Sequence, residues 1–188
     1  MNRQHRMMIW MAVAALTAYG QTVDQRRENQ QQRIAGGISS GQLTPGETAK
    51  VERQEKGVKR QVRQDRAGNG GKLTPAERRQ VNREQNKLSG TIYNDKHNAN
   101  RTNFKGEVGA RQRNQQQRIA RGVAKGSLTA GETAKLEGKE AGLNREVKGE
   151  RRQNGGTLTP KERTQANHQE NKLSGQIYKD KHNAATRP

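Results

Sequence analysis

A Tyr-x-Asp-x-His motif occurs twice in the chain, at 93–97 and 178–182, and contains the side chains best suited to metal binding. Carboxylate and imidazole groups are common zinc ligands, but each motif supplies only two, and a tight site needs three or four. A metal site is therefore predicted only if the two motifs meet. We favour the alternative that each motif is a last helical turn, where Lys and His interact favourably with the helix dipole and Tyr covers an apolar seam. The candidate metal ligands are Asp95, His97, Asp180 and His182.

Catalytic chemistry finds little support in the sequence. The chain has no cysteine, and no serine lies in the sharp-turn context of a hydrolase nucleophile. No glycine-rich phosphate-binding loop is present either. A catalytic pocket needs apolar walls, and only 27% of the residues are hydrophobic. We therefore expect a protein that is not an enzyme, with no cofactor and no small-molecule substrate.

The excess of positive charge is the strongest indication of function. There are 37 Lys and Arg against 18 Asp and Glu, a formal net charge of +19. Such an excess predicts salt-sensitive, sequence-independent binding to an anionic polymer, with extracellular DNA, surface polysaccharide and anionic lipid headgroups as candidates. A solvated helical surface with internal ion pairs is the alternative. The candidate polyanion-binding residues are Lys59, Arg60, Arg63, Arg66, Arg78, Arg79, Arg83, Arg145, Lys148, Arg151 and Arg152.

An internal repeat organises the chain. Residues 29–100 align without a gap onto 114–185, and 44 of the 72 aligned pairs are identical. A fainter repeat at a shift of 30 lies within each copy, so the chain contains four versions of one helix-starting unit. The sequence therefore predicts two tandem modules, 21–100 and 110–188, joined by a linker over 101–109.

Each unit begins with a Leu-Thr-x-x-Glu pattern that is typical of a helix N-terminus. Threonine is a good N-cap, and glutamate three residues later completes a capping box. Proline directly after the threonine suits the first helical position. We expect structural, helix-capping roles for Thr44, Glu47, Thr74, Glu77, Thr129, Glu132, Thr159 and Glu162.

Long helices are predicted after these caps, with narrow apolar seams. We expect helices over 45–66, 75–98, 130–152 and 160–183, and shorter ones over 23–36 and 110–121. Apolar residues recur at intervals of seven and four, which gives a stripe for one neighbour and not burial all round. The seam residues are Val51, Val58, Val62, Val81, Leu88, Ile92, Leu136, Leu143, Val147, Leu173 and Ile177.

The loops before the second and fourth of these caps resemble EF-hands, since a helix, a glycine-rich loop, Leu-Thr-x-x-Glu and a helix follow in order. An EF-hand needs oxygen ligands at fixed loop positions before its last glutamate. Neither register of 65–77 supplies them, and the equivalent loop carries Arg151 and Arg152 there. The resemblance implies an all-α fold of degenerate EF-hand-like units, with short β-bridges pairing Leu43 with Leu73 and Leu128 with Leu158. We do not expect calcium binding.

The chain also resembles small exported bacterial helical-repeat proteins of unassigned function. The resemblance rests on the LTPxE helix starts and on the IYxDKHNA endings at 92–99 and 177–184. It covers most of the chain after the N-terminal segment. It implies an extracytoplasmic helical protein and brings no catalytic residue with it.

The N-terminal segment 1–20 has the pattern of a signal peptide. Arg3 and Arg6 precede an uncharged, mostly apolar run at 7–18, and Ala18 and Gly20 supply small residues at the positions that a signal peptidase reads. The run is short for a membrane span, so we expect cleavage, export to the periplasm or beyond, and no remaining membrane anchor. Two further functions stay open beside polyanion binding: a structural, self-associating envelope protein, and a weak calcium-responsive module.

Overall fold

The computed structural model describes residues 22–102, 104 and 106–185. This part of the chain is all-helical, as the sequence predicts, and it contains no strand or β-bridge. The signal peptide expected at 1–20 lies outside the described residues. The helices are α1 Val23–Ser40, α2 Pro45–Gly68, α3 Pro75–His97, α4 Gly106–Lys125, α5 Ala130–Gln153 and α6 Pro160–Lys181.

Four of these helices begin at the predicted threonines. In each case the threonine hydroxyl accepts from the backbone N–H three residues on, and the glutamate there accepts from the backbone N–H of the threonine. The same reciprocal arrangement of Thr22 and Gln25 starts α1. The capping roles predicted for all eight residues are confirmed.

The helix ends agree with the prediction except in the two shorter helices. Helix α1 continues to Ser40 instead of ending near Gly36, and α4 runs from Gly106 to Lys125. Residues 106–109, placed in the linker from sequence, are therefore helical. The reason is tertiary: Val108 and Gly109 are buried in the first turn of α4.

The two copies pack against each other through equivalent helices. The most extensive contacts join α2 to α5, followed by those joining α1 to α4. Both pairs are antiparallel. In the α1–α4 pair, Gln32 meets Ala124 and the later Ser39 meets the earlier Gln117. In the α2–α5 pair, the start of each helix lies beside the second half of the other. Helix α3 packs on α1 and α2, and α6 packs on α4 and α5. A pseudo-twofold arrangement results.

The predicted seams form the core in three clusters. Every seam residue is buried. The central cluster combines residues of both copies, among them Ile34, Val51, Ile119 and Leu136. Outer cluster 1 belongs to the first copy and contains Val58, Val62 and Val81. Outer cluster 2 belongs to the second copy and contains Val108, Leu143, Val147, Leu158 and Ala166.

The β-bridges inferred from the EF-hand resemblance are absent from the described residues. The amide of Leu43 donates instead to the carbonyl oxygen of Gly37 at 3.0 Å, and the amide of Leu128 to that of Gly122 at 3.1 Å. Both leucines enter the central cluster, whereas Leu73 packs on outer cluster 1. The prediction was wrong because each of these leucines closes the end of the preceding helix.

Among the residues that the structure describes, no helix is both long enough and apolar enough to cross a membrane.

Candidate anion-binding grooves

Groove 1 is lined by basic side chains of α2 and by the N-terminus of α5. Lys56, Lys59, Arg60 and Arg63 line one wall, at helical intervals that place them on one face. Residues 129–132 line the other wall, with the first-turn Gly131 packed under the Lys56 side chain. A helix N-terminus carries a partial positive charge. The groove therefore combines four cations with a favourable dipole, against the single negative charge of Glu132.

Groove 2 is the pseudo-symmetric equivalent, with the copies exchanged. It is lined by residues 44–46 at the start of α2 and by Ala141, Asn144, Arg145 and Lys148 of α5. Ala141 and Asn144 stand where groove 1 has Lys56 and Lys59. Arg101, from the connection between the copies, adds a cation that groove 1 lacks. The two grooves thus share a design, with four cations and one glutamate lining groove 1 and three cations lining groove 2.

The structure brings together only some of the predicted polyanion-binding residues. Lys59, Arg60 and Arg63 meet in groove 1, and Arg145 and Lys148 in groove 2. Arg66 forms an ion pair with Asp24 at 2.8 Å. Arg151 lines a separate cavity beside Arg163 and the start of α4. The remaining four line neither groove: they are Arg78, Arg79, Arg83 and Arg152.

The sequence analysis missed three cations, of which two line a groove and the third, Lys181, lies in a group of basic side chains. Lys56 precedes Lys59 and Arg60 by one helical turn, so the helical period carried a signal for it. Arg101 lies in the segment that connects the two copies, where no helical period could indicate its position. Lys181 lies near Arg118, Arg121 and Lys125 in the second copy; burial lowers the pKa of its ammonium, and these three positive charges lower it further.

The two Tyr-x-Asp-x-His motifs lie in the last turns of α3 and α6. His97 stacks on Tyr93 with ring centroids 4.2 Å apart, and its Nδ1 donates to the carbonyl oxygen of Tyr93 at 2.7 Å. Tyr178 and His182 repeat both contacts. Tyr93 is 57% exposed and Tyr178 60%. The expectation that these tyrosines cover the apolar seam was therefore wrong, because the histidine ring is their neighbour.

The aspartates of the motifs contact other groups. The Asp95 carboxylate lies 3.6 Å from Lys50, and Asp180 accepts from the side chain of Gln176 at 2.7 Å. In the described part of the chain, no group of three or more His, Asp and Glu is arranged to hold a metal ion. The structure therefore does not bring Asp95, His97, Asp180 and His182 together as one ligand set.

The capping glutamates that follow the glycine-rich loops at 68–71 and 154–156 each accept hydrogen bonds from an asparagine side chain. Asn69 Nδ2 donates to both carboxylate oxygens of Glu77 at 2.9 Å, and Asn154 Nδ2 does the same to Glu162 at 2.9 and 2.7 Å. Hydrogen bonds from the Thr74 backbone and hydroxyl, followed by that from Asn69, lower the pKa of Glu77. In both loops, one amide nitrogen thus donates to both oxygens of the capping glutamate.

No family model, curated protein or solved structure matches this chain.

Proposed function

We propose that this protein acts by binding an anionic polymer outside the cytoplasm and catalyses no reaction. The observation that carries the proposal is groove 1, where Lys56, Lys59, Arg60 and Arg63 face the N-terminus of α5. Its equivalent on the second copy, groove 2, gives the molecule two related basic surfaces. Extracellular DNA, anionic surface polysaccharide and anionic lipid headgroups share the chemistry that such grooves attract.

The charge of the whole molecule supports the same conclusion. A net charge of +19 attracts any polyanion over long range, and binding of this kind releases counterions. The chain has few aromatic residues, 3% in all, which disfavours recognition by stacking on unpaired bases. Binding should therefore depend on charge spacing and not on base sequence.

The experiment is a titration of the protein with duplex DNA and with an anionic polysaccharide across salt concentrations. We expect binding that weakens steeply with salt and is indifferent to DNA sequence, with a log-log slope near −0.9 per neutralised phosphate. The absence of binding at low salt to either polymer would refute the proposal. Vesicles with anionic headgroups form a third arm that separates lipid from polymer.

A matched pair of triple variants tests groove 1 itself. The groove variant is Lys56→Gln, Arg60→Gln, Arg63→Gln; the control is Arg78→Gln, Arg79→Gln, Arg83→Gln, which removes three exposed charges outside both grooves. We expect the groove variant to lose about tenfold or more in affinity and up to about three phosphate contacts from the salt slope. Equal losses in both variants would show that overall charge acts alone, without groove 1.

The self-association alternative rested on seams left for partners from other chains. The same seams are buried within the chain, and the central cluster joins both copies. Light scattering at high concentration distinguishes the two functions, because polyanion binding by the grooves requires no assembly. The calcium alternative is tested by melting the protein with and without the ion.

A further inference from the structure

A buried polar layer separates the central cluster from the outer cluster in each copy. Glu52 and Glu55 form it on α2, between Val51 and Val58, and both are at most 1% exposed. Glu137 and Glu140 form it at the equivalent positions of α5, between Leu136 and Leu143, and both are 0% exposed. Buried carboxyl groups destabilise a fold when they are charged and unpaired.

The first copy supplies groups that suit these carboxylates. Arg27 lies beside the layer, with its Nε 4.0 Å from Glu55 Oε1. Gln31 donates to Glu52 at 3.1 Å. A third buried residue, Gln85 on α3, donates through its amide to the carbonyl oxygen of Val23 at 2.8 Å. This layer therefore contains two carboxyl groups, one guanidinium and neutral amides.

The second copy differs at two positions that change this balance. Gln112 stands where the first copy has Arg27, and Glu170 stands where it has Gln85. Both are buried, at 3% and 0% exposure. The layer has thereby lost a cation and gained a carboxyl group. A carboxylate cannot donate as the Gln85 amide does; only the protonated acid can.

The three carboxyl groups of the second copy are poorly satisfied as anions. Within the described part of the chain, neither carboxyl oxygen of Glu140 accepts a hydrogen bond, and Glu137 accepts one, from Gln116 at 2.9 Å. The side-chain amides of Gln115 and Gln112 lie near the Glu170 carboxyl and favour its anion, but burial outweighs them. Burial raises the pKa of Glu137 to about 8 and that of Glu170 to about 7. Burial, together with the charges of Glu137 and Glu170, raises the pKa of Glu140 well above its usual range.

The charged groups near the layer do not fully neutralise its three carboxyl groups. From α4, Arg111 lies near Glu170 and opposes the rise of its pKa, and its guanidinium also donates to Asn171 at 2.9 Å. On α6, the charged group near Glu140 is Glu170. On α2, Lys56 lies against Gly131, which belongs to the first turn of α5 and precedes the turn that contains Glu137.

We infer that Glu137, Glu140 and Glu170 form a proton-dependent switch, in which protonation holds the outer end of the second copy closed and deprotonation loosens it. The outer end consists of the segments around outer cluster 2: the start of α4, the end of α5 and the start of α6. The first copy, with Arg27 and Gln85, lacks the switch. The central cluster keeps the copies joined in both states.

The direction with pH follows from proton linkage. The carboxyl groups bind protons more tightly in the folded chain than at the ordinary glutamate pKa of 4.5. The folded state therefore holds more protons than the unfolded state between about pH 4.5 and 8, and its stability falls as pH rises through this window. The stabilising contribution is complete below pH 4.5 and is lost above the folded-state pKa values.

The test compares amide hydrogen exchange of the intact protein at pH 5.5 and 8.5, corrected for intrinsic rates. From the lower to the higher pH, we expect protection over 143–166 to fall by about tenfold or more relative to the equivalent first-copy segment 58–81. A tenfold change corresponds to a shift of one pKa unit in one group. Glu170→Gln and Gln112→Arg restore the first-copy residues and should each reduce this loss. Gln85→Glu should introduce a comparable loss into the first copy.

Two results would overturn the inference. One is a protection ratio that does not change with pH in the unsubstituted protein; the other is a loss that persists undiminished in both restoring variants. If the variants fail to fold, carboxyl-carbon NMR titration of the unsubstituted protein decides. Midpoints at or below pH 4.5 for all three glutamates would exclude the switch, and midpoints near neutrality would support it.

Discussion

At the scale of single residues, two glycines allow the helix ends to close on the core. A Cβ added at Gly37 would lie 2.6 Å from Leu43 Cδ1, and one at Gly122 would lie 2.6 Å from Leu128 Cδ1. Both leucines are completely buried in the central cluster. They cannot move aside without disturbing the packing, because protein interiors are close-packed.

Adjacent glycines in α1 give a matched pair of substitutions. Gly37→Ala should lower the free energy of unfolding by about 1–3 kcal/mol, because it overpacks the site of Leu43. Gly36→Ala meets no atom within 4 Å and should raise the free energy by about 0.5–1 kcal/mol through helix propensity. Urea denaturation measures both. Similar effects of the two substitutions would contradict the close approach.

At the scale of helices, the capping boxes fix where each element starts. The carboxylate of Glu47 accepts from the Thr44 backbone at 2.9 Å and also from Asn98 and Asn100, which follow α3. Burial raises the pKa of Glu47, but the hydrogen bonds from Asn100, Thr44 and Asn98 outweigh it and the net pKa is lowered. The cap therefore ties the start of α2 to the end of α3.

Removing one cap should have a moderate and local cost. Thr44→Ala should lower the free energy of unfolding by about 1 kcal/mol. Thr91→Ala, in the interior of α3, removes an exposed hydroxyl that donates to the Lys87 carbonyl oxygen of its own helix, and should change stability by less than about 0.5 kcal/mol. Equal costs in denaturant titrations would argue against the capping role.

Acid should weaken these caps in a defined direction. The folded-state pKa of Glu47 lies below the ordinary value of 4.5, so its contribution is present above that pH and is lost as pH falls through the folded value. The buried glutamates of the second copy act in the opposite direction. The free energy of unfolding, measured by urea denaturation across pH, should therefore be highest close to the ordinary glutamate pKa of 4.5 and decrease on either side.

At the scale of the molecule, the two copies share one core. Central-cluster residues come from both, and the α2–α5 contact is more extensive than any contact within a copy. A composition with 27% hydrophobic residues supports only narrow seams. Pairing the two copies buries the central parts of the seams, and the outer parts are buried within each copy.

Loss of one central side chain should therefore affect both copies. Leu136→Ala on α5 should lower the free energy of unfolding by about 2–5 kcal/mol and reduce amide protection in the first copy as well as the second. Thermal unfolding followed by circular dichroism should remain a single transition. An unchanged first copy would show that the modules are stable independently.

Local sequence determined the helices and their starts. Capping depends on residues three apart and seam position on the helical period, so neither requires knowledge of the fold. The same period contained a signal for the polar layer. Between Val51 and Val58 the seam needs a residue at position 55, and that residue is Glu55, buried to 1% exposure. Because charged residues usually lie at the surface, the sequence did not indicate that Glu55 is buried.

The sequence by itself determined the repeat, the caps, the seams and the basic character of this protein. Tertiary structure alone decided which seam faces which, and hence that Arg101 joins Arg145 and Lys148 in groove 2 and that Leu43 closes α1 instead of pairing with Leu73. It also decided that Gln112 and Glu170 enter one layer with Glu140. The physical reason is that a helical period specifies a face but not its partner, and these groups meet only when helices far apart in the chain pack together.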